Sequence, residues 1–194
     1  MNVKKFLRDN RGFLAFIVLL AVFRTAIADW NTIPSGSMRP TLLEGDVVLV
    51  NRLAYDLKLP LSSVVVAHLG EPQRGDVVTF SSPVDGTRLI KRVIALPGDL
   101  VEMRDKKLLI NGMSADYRLQ DVVREPTGDG MTLTVQHLAE TLGNDHRTIQ
   151  WVPDMPRAST FGPVVVPADQ YLMLGDNRDN TRIRAISALF RVSN

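Results

Sequence analysis

Two serines flank a glycine in Ser35-Gly36-Ser37, with Pro34 before the turn and Pro40 two residues after Met38. Each proline fixes its own φ and pushes its predecessor, Ile33 or Arg39, towards extended geometry. Gly36 permits backbone angles and close approaches that a side chain forbids. A serine held at such a corner could present its hydroxyl at a fixed angle. The Ser37 N–H would then face a developing oxyanion, with the Ser35 hydroxyl near enough to act as a second donor. Most Ser-Gly-Ser tripeptides are only turns entering strands, so the motif needs a base from elsewhere in the chain.

The histidines are His68, His137 and His146, each at a strand end or in the late polar region and none within a motif. They give a Ser-His-Asp arrangement little support. Lys91 stands inside RLIKRVIAL, where the strand period puts Leu89 and Val93 on its face. Desolvation on such a face lowers the lysine pKa from its usual ~10.4, and reaching the range ~7–8 requires about 4 kcal/mol, within what burial achieves. The resulting neutral amine could take the proton of Ser37. A lysine snorkelling from an edge strand would show the same local pattern. A third cluster, GDNRDN at residues 175–180, fails the calcium-loop template because Arg178 occupies a position that requires Asp or Asn. Asp176, Arg178 and Asp179 are instead candidates for an ion-pair network that braces a site.

The composition narrows the partners. The chain has 194 residues, a net charge of +2 and no cysteine, which excludes disulfides, thiol nucleophiles and cysteine-ligated zinc. No basic block interleaved with aromatics points to nucleic acid. At the N-terminus, MNVKKFLRDNR carries four cations ahead of the apolar run from Gly12 to Phe23. That order implies a cytoplasmic start and an exported remainder. The run extends to Ala28 as a membrane span if Arg24 snorkels, with Trp30 at interface depth. Alternatively it is the apolar region of a signal peptide, with Ala26-Ile27-Ala28 as the cleavage motif.

The elements that must position these residues read as strands. DVVLVN (46–51), SVVVAHL (63–69), DVVTF (76–80), RLIKRVIAL (88–96), DLVEM (99–103) and KLLING (107–112) are short, branched and separated by Gly, Pro and Asp turns. MTLTVQHL, RTIQWV, GPVVVP and YLMLGD continue the pattern, while 51–59 fits either a helical turn or a strand. Residues 114–130 are polar and read as a long excursion. The expected architecture is therefore a mostly β exported domain, residues 29–194, behind a basic tail (1–11) and one hydrophobic segment (12–28).

In order along the chain, PSGSMRPTL, GDVVLVNR, RGDVVTFSSP with RLIKRVIALPGD, ETLGNDHRTI, and FGPVVVPADQYLMLGDNRDN resemble the boxes of the type I signal peptidase (leader peptidase) family, membrane-anchored Ser–Lys proteases. The resemblance implies a signal-peptidase-like all-β catalytic domain behind one N-terminal transmembrane helix. Ser37 would be the nucleophile, Lys91 the general base, and Ser35 an oxyanion donor beside the Ser37 amide. Thr181 would orient the lysine where the family usually has a serine. Ile33, Pro34, Met38, Leu89 and Ile90 would form shallow pockets for small side chains, with Asp176 and Arg178 in support. The implied reaction is hydrolysis after an Ala-X-Ala motif in exported preproteins, through an acyl-enzyme, without metal or cofactor. The implied place is the outer face of the cytoplasmic membrane, with a single span, the N-terminus inside and apolar surface touching lipid.

The end of the chain departs from the family. After GDNRDN the sequence runs TRIRAISALFRVSN, so that Ile183 replaces an expected Asp, Arg184 matches the family Arg only across a deletion, and Ser187 replaces a glycine. This leaves a second reading, a membrane-tethered domain that binds precursor tails with impaired cleavage. A self-cleaving Ser–Lys repressor is disfavoured by the hydrophobic N-terminus.

Overall fold

The computed structural model describes residues 3–59, 62, 64–82, 85–126, 131–153, 160–179 and 189–190. Thr181, Ile183, Arg184 and Ser187 fall outside them. The chain divides into two compact units, Met1–Thr32 with Val47–Glu71, and Ile33–Asp46 with Pro72–Asn194.

The first unit holds α1 (Val3–Asp9), α2 (Arg11–Ala26), β1 (Ala28–Thr32), β2 (Val47–Asn51), β3 (Asp56–Lys58) and β4 (Val65–His68). Strands β1 and β2 pair antiparallel with Trp30 opposite Leu49, and β3 pairs with β4. The anchor expected over residues 12–28 is shorter than that. The helix ends at Ala26, Ile27 caps it, and strand pairing starts at Ala28. Sixteen residues rise about 24 Å, against about 30 Å of hydrocarbon. Among the described residues no helix is long and apolar enough to cross a membrane. Phe13, Phe16, Val18 and Leu19 are nonetheless more than half exposed. The Ala26-Ile27-Ala28 motif is tied down: the Arg52 N–H donates to the Ile27 carbonyl at 3.0 Å, and Ala28 is buried.

The second unit is mostly β. It comprises β5 (Val77–Ser81), β6 (Arg88–Ala95), β7 (Leu100–Arg104), β8 (Lys107–Ile110), β9 (Met113–Ser114), β10 (Asp116–Pro126), β11 (Thr132–Leu142), β12 (Asp145–Trp151), β13 (Phe161–Val165), β14 (Tyr171–Leu174) and β15 (Leu189–Phe190). They form sheets in the orders β15-β14-β6-β5, β13-β7-β8-β9 and β10-β11-β12. Ile94, Ala95, Val101, Met103, Leu108, Ile110, Leu172 and Leu174 meet in one core, contributed by β6, β7, β8 and β14. The Pro97-Gly98-Asp99 turn after β6 needs the positive φ of Gly98, 87°. The Asp99 carboxylate holds the same corner, accepting from Leu96 N at 2.6 Å, Arg74 Nη2 at 2.8 Å and Asn111 Nδ2 at 2.8 Å.

The polar excursion of 114–130 contains an eleven-residue strand, β10, paired along its length with β11. Leu119 and Val122 in it stay exposed, so hardly any buried stripe marks it in the sequence. On β11 the buried face carries Leu138, Glu140 and Leu142. Glu140 is fully buried, and its Oε2 accepts from Arg147 Nε at 2.5 Å and Arg178 Nη2 at 2.6 Å, while Tyr117 Oη donates to Oε1 at 2.7 Å. Burial pushes this carboxyl up, but the charges of Arg178 and Arg147 and the hydrogen bonds from Arg178 and Tyr117 outweigh it and hold the pKa at about 2.

Removing the Glu140 charge strands two buried guanidiniums, so Glu140→Gln should destabilise the fold by about 3–5 kcal/mol, read from urea unfolding midpoints. Because the folded pKa lies below the unfolded one, the contribution is complete above pH 4.5 and is lost as pH falls through about 2. A Glu140→Gln protein as stable as the parent at pH 7 would contradict this account.

Candidate active site

The Ser35-Gly36-Ser37 turn is built by a single 3-10 turn, Gly36–Met38. Ser35 precedes it in extended geometry, with φ −149° and ψ 152°. Met38 is completely buried and Ile33 nearly so, and these two side chains pin the turn to the unit. The main chain is fixed on both sides: Ile33 N donates to Asp46 O at 2.8 Å, and Gly45 N donates to Ile33 O at 3.0 Å. From the opposite end of the sequence, Asn177 Nδ2 donates to Gly36 O at 3.0 Å and Asn177 N to Ser37 O at 3.1 Å. Ser37 is buried to 9% exposure, while Ser35 is exposed.

Lys91 lies in the middle of β6, flanked by β5 through Val78 and, two residues on, by β14 through Val93 and Met173. Its Nζ stands 2.5 Å from Ser37 Oγ. Burial lowers the Lys91 pKa to about 8, partly countered by the negative charge of Asp176. About a tenth of the amine is therefore neutral at pH 7, and that form can accept the serine proton. The histidines are engaged elsewhere: His68 with Asp56 at 2.7 Å, His137 with Asp121 at 2.8 Å, and His146 with Thr141 at 3.0 Å.

Asp176 is 1% exposed, and its carboxylate is gripped by Arg92 through Nε at 2.9 Å and Nη2 at 2.7 Å, with Thr41 Oγ1 donating at 2.5 Å. Arg92 follows Lys91 and points to the other side of β6 by strand alternation. The pair therefore sets the back of the strand that carries the amine. Arg92 and Thr41 were not singled out in the sequence; each differs from an ordinary strand or turn residue only by a partner far along the chain. Arg178 and Asp179 also reach partners outside residues 176–179, while the Asp176 charge acts on Arg178. Arg178 turns to Glu140, and Asp179 Oδ2 accepts from Val152 N at 2.5 Å. The cause is backbone pairing, in which Gln150 N donates to Asp176 O and Arg178 N to Gln150 O, so neighbouring side chains diverge.

The five residues expected to form substrate pockets do not share one open surface. Ile33 and Met38 are sealed inside, Pro34 is exposed, and Leu89 and Ile90 are half-buried on alternating sides of β6.

A serine hydroxyl held against a desolvated lysine amine on a mostly β scaffold defines a serine–lysine dyad. Residues 8–182 match the family model described as signal peptidase, peptidase S26. A crystal structure of a signal peptidase I from Enterococcus faecalis V583 aligns with 63% of this chain and 92% of its own, at 28% identity and a TM-score of 0.35. Signal peptidase I of Pseudomonas fluorescens is 40% identical over 174 residues, 89% of this chain and 60% of its own. That of Pseudomonas aeruginosa is 38% identical over the same shares. Signal peptidase I of Rickettsia prowazekii is 32% identical, covering 93% of this chain and 74% of its own. The chain belongs to the signal peptidase family, peptidase S26. It spans about 60% of the length of the two Pseudomonas relatives.

An NMR titration of the Lys91 side chain, with lysine labelled at Cε, should give a midpoint near 8. Asp176→Asn removes the charge that holds this pKa up and frees Arg92, so the midpoint should move lower still. A midpoint at the ordinary 10.5 in the parent protein would deny the amine its role as a base at neutral pH.

Proposed function

We propose that this chain is a signal peptidase I: a membrane-anchored serine endopeptidase that removes signal peptides from exported preproteins after an Ala-X-Ala motif. The observation that carries the reading is the 2.5 Å approach of Lys91 Nζ to Ser37 Oγ, in a chain of the peptidase S26 family. Neutral Lys91 takes the Ser37 proton as Oγ bonds to the scissile carbonyl carbon. The oxyanion is met by the Ser37 N–H and by the exposed Ser35 hydroxyl. The C–N bond then breaks, the Lys91 ammonium passes its proton to the leaving amine, and an acyl-serine remains. Water, deprotonated by the same amine, releases the signal peptide.

The substrate segment would lie extended beside a strand edge, its backbone hydrogen-bonded and its small side chains set into shallow pockets near Leu89, Ile90 and Pro34. Thr181 would orient the lysine amine, as the family resemblance implies. The basic tail and the apolar, exposed face of α2 support a membrane anchor with the N-terminus inside and the catalytic unit on the outer side. A helix this short is accommodated by local thinning and by snorkelling of Arg24. The departure in sequence after residue 180 favours a second reading, a precursor-binding domain that cleaves poorly.

The deciding experiment is cleavage of an Ala-X-Ala preprotein in detergent by the parent chain, Ser37→Ala and Lys91→Ala. Cleavage after the second Ala should occur in the parent and fall by at least about a thousandfold in both variants. Ser35→Ala should lower kcat by about 10²-fold or somewhat more and leave KM nearly unchanged. A folded parent that binds the preprotein without cutting it supports the second reading, and activity surviving Lys91→Ala assigns the base wrongly.

A further inference from the structure

The residue after Met38 does more than lead out of the turn. Arg39 Nε donates to Glu44 Oε2 at 2.7 Å and its Nη2 lies 2.6 Å from the same oxygen, while Nη1 donates to Glu125 Oε2 at 2.8 Å. Hydrogen bonding to Glu44 is the main cause that raises the Arg39 pKa above its ordinary value. Glu125 lies at the far end of β10, 86 residues away, and also accepts from Gln150 Nε2 at 3.3 Å. Gln150 in turn is bonded through its main chain to Asp176 and Arg178, between which Asn177 grips Gly36 and Ser37. The links close a circuit: from the serine turn through Arg39, Glu125 and Gln150 to residues 176–178, and back to the turn.

The Arg39–Glu44 pair also lies directly on Gly36. A Cβ at that position would come within 2.6 Å of Glu44 Oε1, 3.1 Å of Arg39 Nε and 3.2 Å of Arg39 Cδ. Gly36 has no positive φ, unlike Gly45 or Gly98. Its lack of a side chain makes room for the ion pair rather than for an unusual backbone angle.

We infer that Arg39 is a positioning residue: with Glu44 and Glu125 it clamps the Ser35-Gly36-Ser37 turn so that Ser37 Oγ stays within reach of Lys91. This rests on the proposed peptidase reading. Partly exposed ion pairs add little to stability, whereas a misplacement of about 1 Å in a reacting group lowers turnover by as much as 10²-fold. The clamp therefore acts on rate far more than on folding. A lysine cannot replace it fully, because one ammonium does not span two carboxylates as a planar guanidinium does.

The test measures kcat, KM and the thermal midpoint for the full chain on an Ala-X-Ala peptide. Arg39→Met should lower kcat by about 10- to 100-fold with KM within about twofold, and with the thermal midpoint nearly unchanged. Arg39→Lys should recover part of the loss. Glu125→Gln should lower kcat more mildly, and Arg39→Met with Glu125→Gln should be no slower than Arg39→Met alone. Gly36→Ala should slow turnover, and adding Glu44→Ala should restore part of it, because that removes the nearest atom. Unchanged kcat in Arg39→Met overturns the clamp, as does a loss confined to KM or a fall in kcat that only tracks the thermal midpoint. Ser37→Ala separates the two failures. A parent no more active than Ser37→Ala sinks the peptidase reading and the clamp with it, whereas an active parent beside an unaffected Arg39→Met sinks the clamp alone.

Discussion

Keeping a share of a lysine amine uncharged next to a hydroxyl is the demand that organises the second unit. Water around Lys91 would restore its ordinary pKa and leave almost no free base at neutral pH. The fold meets the demand by setting Lys91 in the middle of β6, with strands on both sides, rather than at an edge. Desolvation alone would also weaken the lysine's grip on its place, because a neutral amine has no strong ionic partner. Geometry has to come from the backbone and from neighbours. The 3-10 turn, the buried Met38 and the two bonds from Asn177 supply it on the serine side.

Asp176 shows how charge is used beside such an amine. It is close enough to raise the Lys91 pKa, which by itself opposes the formation of free base. Arg92 takes up most of that carboxylate through two bonds, and Thr41 takes part of the rest. The aspartate thus serves chiefly as a structural tie between β6, the residues that follow the serine turn and the segment after β14. The same economy appears around Glu140, where one carboxylate serves two arginines and a tyrosine. In both places a single buried anion fixes several chain segments.

The strands that carry the site were legible in the sequence because their apolar residues repeat with a period of two between Gly, Pro and Asp turns. Lys91 stood out as a cation on such a stripe, and Ser37 by the prolines around its turn. Strand β10 was not legible, because its side chains mostly face water and carry no stripe. Arg92, Thr41 and Asn177 were hidden for another reason: their roles depend on partners 84 to 141 residues away. Glu140 did leave a trace. A carboxylate set between Leu138 and Leu142 at strand period is out of place unless buried cations await it. The pairing of Arg178 with Glu140 followed from the β-bridge at Gln150, which composition does not reveal.

The short α2 bears on how the two units divide their work. Phe13, Phe16, Ile17, Val18, Leu19, Leu20 and Phe23 along it are exposed. In water such a helix would carry an unfavourable apolar surface of several large side chains at about 25 cal/mol per Å². A bilayer removes that surface from water without requiring any packing partner. The cationic residues before the helix, together with Arg24 stacked 4.7 Å over Trp30 at its other end, give it polar and amphipathic groups at both ends. On the proposed reading, the first unit would meet lipid while the second carries the chemistry. The dyad and its clamp draw every residue from the second. Substitutions along α2 are therefore separable from those around Ser37, because the two sets of residues fall in different units.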